Sequence, residues 1–155
     1  MDGCKNYTVL SEEDRAQGSV VNNVSNPRCD SYDMVPGWYR FQGDAGDRIA
    51  DKCVPVFGCG TYAPGWLSGV HPTVAEGMVT RRVCYHWSFN CCNWYNNIRV
   101  KNCGAYFVYE LPKMYLCPTR YCGNGSAGKL LRMFDCFSQQ PNHQVTVKID
   151  RKSVV

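Results

Sequence analysis

The sequence predicts a small disulfide-rich domain, mostly β with long loops and little helix, in which five disulfides staple one domain. Three observations lead there. Eleven of the 155 residues are cysteine, about 7% of the chain, while Leu, Ile, Val and Phe together make up only about a fifth. A core that lean is normally supplemented by covalent cross-links. Ten of the cysteines fall between Cys4 and Cys122, an even set. Short runs of β-branched and aromatic residues alternate with Gly- and Pro-rich turns, and no repeat or long amphipathic helix interrupts them.

In chain order, residues 1 to about 36 are polar and turn-rich, with one helix signal. Ser11 stands where it would cap Glu12-Glu13-Asp14-Arg15, with Asp14 at the capping-box position. "GWYRF" (Gly37 to Phe41) reads as a strand between Pro36 and the "GDAG" turn. "CVPVFGC" (Cys53 to Cys59) reads as a short extended run pinned at both ends, and "YAPGWLSGVHP" (Tyr62 to Pro72) as a loop. "GMVTRRVCYHW", "NNIRV" and "GAYFVYEL" supply three further strands. At Cys122 the character changes. Residues 1–122 are expected to form the cysteine-rich domain, and 123–155 a linker ("GNGSAG") and tail. "KLLRMFDCF" suits a short helix there and "HQVTVKI" a strand.

Cysteine at this density places the chain in an oxidising compartment, secreted or extracellular. The N-terminal Met-Asp-Gly-Cys has neither the basic nor the apolar region of a signal peptide, so that segment is not present in this chain. Three acceptor sequons, at Asn6, Asn23 and Asn124, mark candidate N-glycosylation sites. The net charge of +4 is mild and dispersed among acids, which argues against a nucleic-acid partner. No apolar stretch is long enough to insert into a membrane.

The densest chemistry lies in "RRVCYHWSFNCCNWYN" (Arg81 to Asn96), where Cys84, Cys91, Cys92 and His86 fall within nine residues. Structural zinc sites favour paired C-x2-4-C or H-x3-5-H half-sites, but the spacings here are C-x6-C, C-C and C-x10-C. Cys84 and His86 would share a strand face, yet a paired sulfur is no nucleophile. The adjacent cysteines suggest a secreted phospholipase, but Tyr95 stands where the general base would be. "DAGDRIADK" lacks the ligand spacing of a calcium loop, and "GNGSAGK" lacks that of a phosphate loop. No metal, cofactor or catalytic residue is expected. Neighbouring residues on a strand point to opposite sides, so Cys91 and Cys92 can anchor two different neighbours. The odd Cys136 is the candidate free thiol.

Gly37-Trp38-Tyr39-Arg40-Phe41, Cys53-Val54-Pro55-Val56, Gly77-Met78-Val79-Thr80-Arg81 and His86-Trp87 before Cys91-Cys92 closely resemble the uromodulin-type cysteine-rich domain. That eight-cysteine domain has ten cysteines in its long form. The match is dense from Gly37 to Trp94, continues to Cys122 and reaches back thinly to Cys4. The resemblance implies pairing of Cys4 with Cys103, Cys29 with Cys117, Cys53 with Cys91, Cys59 with Cys122, and Cys84 with Cys92. It also implies a non-enzymatic module that presents N-glycans, in some members as a decoy for mannose-binding fimbrial adhesins. Two departures stand out. The family's glycan-bearing Val-Tyr-Asn-Leu-Thr is Val108-Tyr109-Glu110-Leu111-Pro112 here, and its Trp-Leu-Asn-Gly-Thr is Trp66-Leu67-Ser68-Gly69-Val70. The expected function is an extracellular binding or display module of a glycoprotein, with an adhesion or host-defence role. Its partner would be an extracellular protein or a glycan-binding protein of unknown identity. The alternatives are a structural spacer in a larger matrix or filament-forming protein and, behind it, a small secreted hydrolase.

Overall fold

The computed structural model describes residues 1–21 and 25–126. Its strands are β1 (Thr8–Leu10), β2 (Gly37–Phe41), β3 (Ala63–Ser68), β4 (Met78–Trp87), β5 (Asn90–Asn102), β6 (Phe107–Leu111) and β7 (Thr119–Tyr121). They form one sheet in the order β1-β2-β6-β5-β4-β3-β7, parallel only at its two edge pairs. One helical turn, α1 (Asp30–Asp33), and two 3-10 turns complete the elements. The expected fold class is the one found.

Alternation in the sequence becomes a two-faced sheet. Tyr39, Phe41, Val83, Tyr85, Ile98, Val100, Tyr109 and Leu111 are buried on one face, where Ala45, Ile49 and Met114 from the loops pack against them. The opposite face is open and carries Thr80, Arg82, Tyr95, Asn97 and Arg99, all exposed. β4 and β5 form the backbone of the sheet, in register from Met78↔Lys101 to Tyr85↔Trp94.

Three expectations are corrected. The segment read as a loop, "YAPGWLSGVHP", contains β3. Its Gly65 looked like a turn signal but serves close packing: a Cβ there would lie 2.6 Å from the Tyr85 ring and 3.0 Å from the Arg120 carbonyl. The helix expected after Ser11 is only a 3-10 turn, Glu13–Arg15, preceded by Glu12 with no side-chain cap. Its charged residues are drawn elsewhere. Arg15, 1% exposed, grips Asp30, 0% exposed, through Nη1 and Nη2 at 2.9 and 3.0 Å. The Tyr121 amide donates to the same carboxylate at 2.8 Å, and Arg15 donates to the Tyr121 carbonyl at 3.1 Å. Arg120, 2% exposed, donates to Asp14 at 2.9 Å and to the Cys59 carbonyl at 3.1 Å. This ionic clasp fastens the N-terminal segment to β7.

Five cysteine pairs stand at disulfide distance: Cys4–Cys103, Cys29–Cys117, Cys53–Cys91, Cys59–Cys122 and Cys84–Cys92. The fold continues past Cys122. Gly123 bonds to Arg15 and Gln17, Asn124 to Arg48 and Gly125 to Ala45. A Cβ at Gly123 would sit 1.8 Å from the Ala45 carbonyl oxygen, so the approach requires glycine. Part of the stretch read as a linker therefore belongs to the packed body. Asn23, Cys136 and the segments "KLLRMFDCF" and "HQVTVKI" lie outside the described residues.

Candidate functional site

The cysteine-rich stretch folds as the β4–β5 hairpin. Its turn residues Ser88 and Phe89 both take positive φ, 51° and 63°, as a tight hairpin turn with matching twist demands. Next to the turn the register shifts: Tyr85 faces Trp94 and Trp87 faces Asn90, so residues 91–93 stand opposite His86 alone. The adjacent cysteines thus sit in a bulge rather than on a regular strand. The bulge re-aims their side chains. From it Cys91 reaches back to Cys53, and Cys92 closes onto Cys84 within the hairpin.

Cys53 Sγ, His86 Nδ1 and Cys91 Sγ lie within 4.8 Å of one another, a spacing that three metal ligands would have. The two sulfurs, however, are bonded to each other at 2.04 Å. A disulfide has no thiolate to offer a metal or an electrophile. His86 Nδ1 lies 2.8 Å from the Val54 carbonyl oxygen, which can only accept, so Nδ1 carries the proton and donates it there. That nitrogen is spent on holding the 53–59 segment, and neither basic nor ligating capacity remains on it. His71 is engaged likewise. Its Nε2 lies 2.9 Å from the Tyr109 hydroxyl, and burial, with Arg48 nearby, lowers its pKa to about 4. The neutral imidazole and the hydroxyl share one hydrogen bond, while the same oxygen accepts from the Ile49 amide at 3.0 Å. Burial in turn pushes the Tyr109 phenol well above its usual range. His143 lies outside the described residues.

Around the bulge lies an aromatic end. Trp87 stacks on Tyr62 and meets Phe57 edge-on. Phe57 also holds a positive φ of 67°, and Phe89 projects fully into solvent at 106% exposure.

A family model for the uromodulin-like eight-cysteine domain matches residues 39–123. The pancreatic secretory granule membrane major glycoprotein GP2 of Rattus norvegicus is 45% identical over 129 residues, covering 81% of this chain and 23% of that protein. The dog protein of the same name (Canis lupus familiaris) is 47% identical over 126 residues, 81% of this chain and 24% of its own. Uromodulin of Mus musculus is 42% identical over 127 residues, 81% of this chain and 19% of its own. The chain belongs to the uromodulin-like eight-cysteine domain family. It spans a quarter or less of the length of these relatives.

In this uromodulin-like domain the two departures from the family pattern fall on the open face. Glu110 lies on β6 opposite Arg99 of β5, in direct ion-pair contact with it. Ser68 ends β3, exposed, in register with Arg82 of β4. Of the sequons, Asn6 and Thr8 are both exposed at the N-terminal edge. Asn124 is enclosed instead: its Oδ1 accepts from the Asp47 and Arg48 amides at 2.9 and 3.3 Å, and its Nδ2 donates to Asp47 Oδ1 at 2.9 Å. That clamp is invisible to a sequon search. The sequence reading also missed the clasp and started β5 six residues late, at Asn96. The alternation of Trp94, Tyr95 and Asn96 before "NIRV" was the available signal. As a uromodulin-like module among secretory and extracellular glycoproteins, the domain is of the extracellular class.

Proposed function

We propose that the domain is a rigid, non-enzymatic binding and display module of an extracellular glycoprotein, with an adhesion or host-defence role. The observation that carries this reading is the contrast between its chemistry and its surface. The sulfurs of Cys53, Cys91, Cys84 and Cys92 are engaged in disulfides, and His86 Nδ1 and His71 Nε2 in hydrogen bonds. The sheet face meanwhile stands open, with Asn6 exposed at its edge. A face held by five cross-links loses little entropy when it binds, which is what a recognition platform needs.

Asn6 is the sequon best placed to carry a displayed glycan, because its side chain is exposed and has no structural task among the described hydrogen bonds. The test is glycopeptide mapping together with binding of a mannose-specific adhesin, before and after Asn6→Gln. Occupancy at Asn6 and loss of mannose-sensitive binding in the variant support display. Full binding by the variant moves display away from Asn6. A spacer role in a larger assembly is the second reading, favoured by the small share of each relative that the domain represents.

A further inference from the structure

β5 is thirteen residues long and is paired with β4 along one edge from Trp94 to Lys101. On its other edge the ladder to β6 ends at Arg99↔Glu110. β6 stops one residue later at Leu111, and Pro112, which lacks an N–H, turns the chain away. From Trp94 to Asn97 the outward backbone groups of β5 therefore have no backbone partner among the described residues. Such an edge is a ready template for another strand, and proteins usually blunt it with Pro, Lys or a covering loop. Here, among the described residues, the ladder is interrupted by the bulge at residues 91–93, beyond the regular stretch.

Beside this edge, where β5 and β6 diverge, lies a notch of ≈ 400 Å³ whose walls include Ile98, Leu111, Pro36 and Pro112. Gly37 also lines it, and a Cβ added there would meet nothing within 4 Å. Toward the open face the edge is flanked by cations. Arg99 is partly neutralised by Glu110. The Arg82 guanidinium lies 4.1 Å from the Tyr95 ring centroid, and no carboxylate among the described residues pairs with it. Added-strand recognition takes affinity from main-chain hydrogen bonds and specificity from pockets for alternate side chains.

We propose that the β5 edge from Trp94 to Asn97 accepts an extended acidic peptide segment as an added strand. Its backbone pairs with β5, one apolar side chain enters the notch, and alternate carboxylates face Arg82 and Arg99. This deepens the binding-module reading and rests on it. It concerns a site that glycan display does not use, so either can fail alone.

The probe is a capped heptapeptide alternating valine and glutamate, titrated into 15N-labelled oxidised domain. The expected result is saturable shifts at the amides of residues 94–98. Alternate backbone N-methylation of the peptide should abolish them. Lysine in place of glutamate should weaken binding at least tenfold, and Gly37→Leu, which fills the notch, should do the same without altering the remaining spectrum. Shifts elsewhere with none on β5, or equal binding of the N-methylated peptide, would overturn the proposal. So would sedimentation showing that the free domain self-associates through this edge, since a second copy would then be its occupant.

Discussion

The two ends of the domain share disulfides but differ in what is added to them. Around the β4–β5 hairpin the holding is covalent: Cys53–Cys91 ties a 38-residue span and Cys84–Cys92 an 8-residue one. At the N-terminal end the disulfides Cys29–Cys117 and Cys59–Cys122 flank an ionic clasp, with Arg15, Asp30 and Arg120 all nearly inaccessible to solvent. A disulfide acts largely on the unfolded chain by removing its freedom, and is indifferent to pH. A buried ion pair acts on the folded chain, and only while every charge in it is answered. Both ends should respond to reductant, and the clasp end should respond to acid as well.

The largest effect is expected at the clasp. Asp30→Ala leaves two guanidiniums buried without their shared carboxylate and strips a partner from the Tyr121 amide. Removing one partner of a buried pair costs about 3–5 kcal/mol. Equilibrium denaturation of the oxidised domain measures it. A loss under about 1 kcal/mol, the scale of a surface ion pair, would mean that the clasp contributes no more than an exposed pair and that the contrast between the ends is void.

The staples of the hairpin come next. Replacing Cys53 and Cys91 by serine should destabilise by about 4 kcal/mol, and replacing Cys84 and Cys92 by about 2.5, because the chain-entropy cost grows with the logarithm of the loop. The check is the difference between the two pairs of variants under the same denaturant. Equal losses would show that native packing around the bulge, rather than loop entropy, sets what the staples contribute. Peptide mapping without reductant should recover Cys84 joined to Cys92 and Cys53 joined to Cys91. A Cys91–Cys92 peptide would contradict the bulge geometry.

How legible each end was in the sequence follows from the distances involved. The hairpin is local: alternation over Met78–Trp87 marks one strand, and cysteine density marks the staples. The clasp joins residues 15, 30 and 120, and three isolated charges that far apart carry no periodic signal. Propensity even misdirected the reading at this point, because Glu12 and Asp14 look like helix-start residues and are instead taken by Arg15 and Arg120. β3 was hidden for a related reason. Pro64-Gly65 reads as a turn until the ring of Tyr85 is seen lying against the glycine. The open edge of β5 depends on where β6 ends, a property of the assembled sheet and not of β5's own sequence.

Acid should separate the ends further. Burial pushes Glu12 and Asp14 upward, but the guanidiniums of Arg15 and Arg120 more than offset it and hold both carboxyls below their ordinary values. Their folded pKa is depressed, so the stability they contribute is full above the unfolded values and is lost as pH falls through the lower folded ones. His71 acts in an earlier window. Burial lowers its pKa from 6.5 to about 4, so between those values the unfolded chain binds the extra proton and stability declines as pH falls. His71→Asn should flatten that first decline and leave the second, clasp-dependent loss in place. A pH–stability curve unchanged by His71→Asn would place the sensitive group elsewhere.

The smallest effect on stability, with the clearest effect on binding, is expected on the open face. Glu110 pairs with Arg99 across β5 and β6, and exposed pairs of this kind contribute about 0–1 kcal/mol. Pro112 lies just past the end of β6, is exposed, and is not needed to hold the ladder. The double change Glu110→Asn, Pro112→Thr should therefore leave folding nearly intact while creating an acceptor sequon on the solvent side of the sheet. In a background carrying Asn→Gln at 6, 23 and 124, and in a host that keeps high-mannose sugars, the unaltered strand offers no glycan, so adhesin binding should be absent. The double variant should gain binding that free mannose competes away. Equal mannose-sensitive binding with and without the double change would show that display does not depend on this strand. A glycan at position 110 that stays silent toward the adhesin would show that the open face presents sugars in an orientation the adhesin cannot use. The gain would show that the missing acceptor residues, and not the platform beneath them, keep this strand from presenting a sugar to the adhesin.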